Sequence, residues 1–150
     1  MKQIVHRVAG VFALLLIASF WLSTIASEIS GRTEVIYLVK RSILMAMALL
    51  IPALMITAGS GFSLAGKRVG RLIDAKKTRM PLIALNGLLI LVPSAVFLWW
   101  KAERGDFDTW FVVVQAIELI AGAVNITLIS LNVRDGIRLS KFRARAAERA

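Results

Sequence analysis

Residues 109–133 read TWFVVVQAIELIAGAVNITLISLNV, an apolar run interrupted by a single charge, Glu118. An α-helix rises about 1.5 Å per residue, so about 20 mostly apolar residues cross the hydrocarbon layer of a membrane. This run is long enough to do so. Three others match it without any charge: Val8 to Ala26, Ser42 to Gly66 and Met80 to Trp100. No stretch alternates apolar and polar residues with period two, and nothing recurs at a longer spacing, which disfavours a barrel or a repeat array. The expectation is an all-α integral membrane protein, a four-transmembrane-helix bundle of up-down topology. Helices are expected at about 6–27, 40–66, 80–101 and 109–134 within one transmembrane domain, 1–137, followed by a basic cytoplasmic tail, 138–150.

Composition agrees. Of 150 residues 58% are hydrophobic and 19% charged, with a mean hydropathy of +0.75. A soluble domain of this size could not hide so much apolar surface in one core. The net charge of +10 would suggest nucleic acid in a soluble protein. In a membrane chain it suits an anionic cytoplasmic leaflet, and no nucleic-acid partner is expected. Cysteine is absent, which removes disulfides, thiolate metal sites and thiol nucleophiles.

The basic residues set the expected orientation, because Lys and Arg are held on the cytoplasmic side during insertion. Lys2 and Arg7 precede the first helix; Lys67, Arg68, Arg71, Lys76, Lys77 and Arg79 separate the second from the third; Arg134, Arg138, Lys141, Arg143, Arg145 and Arg149 follow the fourth. The opposite loops mix Arg32, Lys40, Arg41, Lys101 and Arg104 with five acids, Glu28, Glu34, Glu103, Asp106 and Asp108. Both termini are therefore expected in the cytoplasm. Trp99, Trp100, Trp110, Tyr37 and Trp21 all fall toward the other side, as interfacial aromatics do. Lys2 and Arg7, an apolar stretch, and Thr24 and Ala26 before Ser27 also fit a secretory signal. The apolar part is long for a signal core, so a retained helix is expected.

Local chemistry places the ends. Thr78 and Pro81 suit the first turn of the third helix, where the missing proline donor is not required. Asp135 and Gly136 suit the stop of the fourth, and Asp108 or Thr109 its cap. Phe62, Ala65, Val69, Leu72 and Ile73 share a helical face opposite basic side chains, so residues 66–79 are expected to extend the second helix along the lipid headgroups. Lys67, Arg68, Arg71, Lys76, Lys77 and Arg79 are the candidate contacts for anionic lipid.

Glu118 is the costly residue, since a carboxylate inside a spanning segment faces the bundle interior, a wet cavity or a partner. Gln115, Glu118, Gly122, Asn125, Ile129 and Asn132 recur at alternating spacings of three and four, one stripe of a helix. By rise per residue, Asn86 reaches the depth of Asn125, and Ser94 that of Gln115 and Glu118. A polar seam between the third and fourth helices follows. Its amides, Asn86, Gln115 and Asn125, read as helix-joining hydrogen bonds, with Gly122 permitting close approach. Glu118 admits two readings, a structural carboxyl and a proton or cation site. Lys40 and Arg41 could reach inward to pair with it, but the preferred expectation extends both to the outer headgroups.

The remaining residues are chemically quiet. Pro52 and Pro93 interrupt helices and read as ordinary kinks. Met45 and Met55 lie on a packing face rather than in a soft-metal site, and Gly66 to Gly70 is a Gly-x-x-x-Gly at the membrane edge, of low value as a dimer motif. His6 is the sole histidine, so two histidines of one chain cannot hold a haem. No nucleophile elbow or phosphate loop occurs. No cofactor or metal is expected. The leading expectation is a non-enzymatic bundle of the bacterial inner membrane: an accessory subunit, a scaffold or a self-associating protein. The second is a small dimeric transporter coupled to protons or cations through Glu118, and a membrane enzyme ranks last.

Overall fold

A computed structural model describes residues 2–65 and 71–147, and every regular element among them is helical. The helices are α1 (Lys2–Ser30), α2 (Thr33–Ala65), α3 (Arg71–Asn86), α4 (Val92–Glu103) and α5 (Thr109–Ala147). A π-helical turn, Gly87–Leu91, joins α3 to α4, so the two form one rod. Four stretches are long and apolar enough to cross a membrane: Gln3–Ser30, Thr33–Gly61, Asp74–Glu103 and Thr109–Ser140. Their outward faces are mostly apolar, with Leu15, Leu22, Leu49, Met55, Leu88, Leu89, Val112 and Ile120 all exposed. Water does not favour so extensive an apolar surface, whereas acyl chains do.

Neighbouring rods run in opposite directions. In the first hairpin His6 of α1 lies against Thr57 and Ser60 of α2, while Thr24 meets Lys40. In the second, Arg79 of α3 meets Asp135 of α5, and Asn86 meets Asn125. The hairpins dock through Trp21 of α1, whose indole N–H donates to the Leu119 carbonyl at 2.9 Å. A Cβ added at Gly122 would lie 2.9 Å from the Trp21 ring, so glycine is what admits the indole. Trp21 thus anchors the bundle from inside instead of marking an interface.

Both hairpin turns use a left-handed glycine, Gly31 at φ 62° and Gly105 at φ 71°, which stops a helix because glycine has no Cβ to clash there. Asp108 caps α5, accepting the Phe111 N–H at 3.0 Å. The core is divided. Ala13, Ile17, Leu50, Ala53, Ile83 and Ile129 pack toward the face that carries the termini. Ile36, Leu98, Ala102 and Phe111 pack toward the hairpin turns.

Several expected boundaries differ. α2 starts at Thr33 rather than near residue 40, since Val35, Ile36 and Val39 continue its apolar face. Residues 71–79 are the opening turns of α3 and not an extension of α2; residues 66–70 lie outside the described residues. Thr78 and Pro81 are therefore inside α3, where the Thr78 hydroxyl bonds back to the Asp74 carbonyl at 3.2 Å instead of capping a terminus. α5 passes through Asp135 and Gly136 without stopping, because the Asp135 carboxylate is held by arginines from two helices and is only 1% exposed.

Candidate functional site

The two hairpins meet at an ion pair. Lys40 Nζ lies 2.6 Å from Glu118 Oε2, with the lysine 1% and the glutamate 13% exposed. The preferred expectation for Lys40, an outward reach to headgroups, is overturned: α2 starts early enough to set Lys40 inside the bundle, and its stem runs across to α5. Arg41, one residue on, is exposed. Gln115 Nε2 donates to the same glutamate oxygen at 3.1 Å, and Lys40 donates to Thr24 Oγ1 at 3.5 Å. Three helices thereby contribute to one charge-compensated cluster.

The location of the cluster explains its persistence. Along α2 it falls between Ile36 of one apolar core and Leu50 of the other; along α5 it falls between Phe111 and Ile129. Apolar layers above and below screen out water, which strengthens the pair and raises the cost of removing either partner. Glu28 of α1 lies close enough to feel the charges of both Lys40 and Glu118. Its Oε1, together with Gln115 Oε1, is buried without a hydrogen-bond partner. Such atoms are the usual seats of bound water.

A second polar layer lies about two turns further along α5. Asn86 Nδ2 donates to Asn125 Oδ1 at 2.9 Å and to the Ala121 carbonyl at 2.8 Å, tying α3 to α5 as the amide reading expects. Asn125 is wholly buried and its Nδ2 has no partner. Ser94 is buried on α4. The expected single seam is therefore two connections: Asn86 and Asn125 join α3 to α5, whereas Glu118 and Gln115 belong with Lys40 and Thr24 of the first hairpin.

A third layer closes the face with the termini. Asp135 accepts Arg79 at 2.7 Å and Arg134 at 3.4 Å. The Gln115–Asn132 stripe continues at Gly136, so Asp135 falls at its edge, and the spacing does not mark it as buried. His6 Nδ1 lies 3.0 Å from both the Thr57 carbonyl and Ser60 Oγ. Of the candidate lipid-binding residues, Lys76, Lys77 and Arg79 lie on the opening turns of α3, Arg71 starts that helix, and Lys67 and Arg68 lie outside the described residues.

Two cavities adjoin these layers. One of about 270 Å³ is lined by apolar side chains with Thr24, Glu118 and Asn125, and by Gly87, Leu88 and Leu91 of the π turn. The other, about 450 Å³, opens at the face with the termini beside His6, Arg7, Lys76 and Lys77. Among the described residues no three His, Cys, Asp or Glu side chains converge as metal ligands do. Set against family models, curated proteins and solved structures, the chain matches none of them.

Proposed function

We propose that the chain is a non-enzymatic four-helix bundle of the bacterial inner membrane, with both termini in the cytoplasm, serving as an accessory subunit or scaffold. The observation that carries this reading is the engagement of Glu118 by Lys40 and Gln115 inside its own chain. A carboxylate already engaged by Lys40 and Gln115 is built into the fold as a pin between hairpins. The concentration of Lys and Arg at the face with the termini supports the orientation, and four apolar rods support the membrane.

The test is a thermal double-mutant cycle on the purified full chain, with proton flux measured in parallel. Removing one partner strands the other group, so Lys40→Met and Glu118→Leu should each destabilise, the lysine change by about 3 kcal/mol, and Glu118→Gln should as well. The Lys40→Met/Glu118→Leu double variant should recover most of that loss, as paired apolar replacements of buried ion pairs do.

The alternative, a dimeric proton- or cation-coupled transporter, is favoured by one observation: Glu118 borders the 270 Å³ cavity. Under that reading Glu118→Gln abolishes proton entry into pyranine-loaded proteoliposomes, whatever its effect on the melting transition. Under the scaffold reading no Glu118-dependent flux exists, and the transition falls.

A further inference from the structure

The larger cavity joins features that neither a scaffold nor a proton site requires. Its mouth carries Arg7, Lys76 and Lys77. Arg7, Lys76, Lys77, Arg79 and Arg134 outnumber the acids of this face, Asp74 and Asp135, so the mouth carries excess positive charge. Gly136 makes room there: a Cβ at that position would sit 3.1 Å from Lys76 Nζ. Just inside, Asn132 borders the cavity with its side-chain oxygen buried and unpartnered. Beyond it the lining becomes apolar, and Leu54, Ala58, Ile83 and Ala84 border both cavities, so the two adjoin along the bundle. Ile51, Met55 and Leu88 of the inner cavity are also exposed on the outer surface, which opens it sideways between α2 and the π turn.

A cationic mouth, a polar collar and an apolar slot with a lateral window match the parts of one molecule in their order. We infer that this path is a binding site for an anionic phospholipid of the cytoplasmic leaflet. The phosphate lies between Arg7, Lys76 and Lys77, the ester region passes Asn132, whose amide N–H can donate to an ester oxygen, and one acyl chain runs past Ala84 toward Gly87. The second chain remains in the bilayer. Charge complementarity selects the headgroup. The chain fills apolar space that water does not occupy and that is destabilising when empty.

The inference rests on the membrane reading, and native mass spectrometry of the detergent-purified full chain tests it. The chain is offered equimolar phosphatidylglycerol and phosphatidylcholine with identical acyl chains. Phosphatidylglycerol should be retained at about tenfold or greater preference. Lys76→Gln/Lys77→Gln should bring the ratio close to unity, and Ala84→Phe, which narrows the slot without touching the charges, should reduce retention of both lipids. Arg138→Gln, an exposed basic position outside the cavity, should change neither. Inorganic phosphate, which has the charge but no chain, should not displace the lipid.

Equal retention of the two lipids, equal loss in the Arg138 control, no effect of Ala84→Phe, or displacement by phosphate would each overturn the site. If the lysine variants do not fold, the Ala84 variant and the phosphate competition still decide. A chain that pellets with membranes but shows no lipid preference refutes this site alone, whereas a chain soluble without detergent refutes the membrane reading with it.

Discussion

Asp108 shows how one side chain can do two jobs at the turn between α4 and α5. Its carboxylate accepts Lys101 Nζ at 2.7 Å and the Phe111 N–H at 3.0 Å, and these bonds, the lysine first, hold it below the usual carboxylate range. A depressed carboxylate contributes stability above its unfolded pKa, and the contribution is lost as pH falls through the folded one. Asp108→Ala should therefore destabilise the protein at neutral pH through loss of the cap and of the Lys101 bond. The difference from wild type should shrink as the pH falls below the ordinary aspartate range, and thermal melts at stepped pH measure it. The cap was legible in sequence because capping is a local matter between residues three apart. Lys40 was not. A lysine two residues before an uncharged run looks the same whether it rises to headgroups or crosses to another helix, and only the partner's position, 78 residues away, separates the two.

At the scale of elements, the π turn is the least regular feature and has a clear cause. Pro93 has no N–H and its ring clashes with a helical carbonyl four residues back. The wide turn just before it, in which the Val92 N–H reaches the Gly87 carbonyl, puts Pro93 at the start of α4, where no donor is missed. The turn also absorbs one surplus residue. With that residue discounted, buried Ile83, Ala95, Leu98 and Ala102 return to a single stripe. Deleting exposed Leu89 together with Pro93→Ala should leave a plain helix bearing the same stripe, with the melting transition close to wild type. Inserting an alanine after Leu89 should rotate α4 by about 100°. That turns Leu98 and Ala102 out of the core, and the loss should exceed about 3 kcal/mol. The proline was visible in the sequence as an interruption. Its resolution as a π turn was not, because the choice depends on which faces of α3 and α4 must meet α5.

For the whole molecule, the layering of charge determines what the bundle can be. Buried polar groups recur along α5 at Glu118, Asn125 and Asp135, the first tied to α2 through Lys40 and the other two to α3 through Asn86 and Arg79. Apolar contacts alone do little to select one helix neighbour over another within lipid, so these bonds specify which faces meet. The proposed orientation has its own check. Alkaline phosphatase fused after Ala150 should be inactive and green fluorescent protein at the same point should fluoresce, since both report a cytoplasmic C-terminus. The reverse pattern would overturn the orientation and move the basic cavity mouth to the opposite leaflet.

The sequence by itself determined the helical class, the number of apolar rods and the distribution of basic residues, because hydropathy and charge are summed along the chain and need no partner. It also marked the α5 stripe, since helical spacing alone places Gln115, Glu118, Asn125 and Asn132 on one face. Tertiary structure alone decided that Glu118 meets Lys40, that Trp21 needs Gly122, and that Asp135 is a buried anchor instead of a helix stop. Each of these depends on a residue from a distant segment arriving at the right depth and rotation. Those two quantities are set by how four rods pack together, and no single stretch of the chain encodes them.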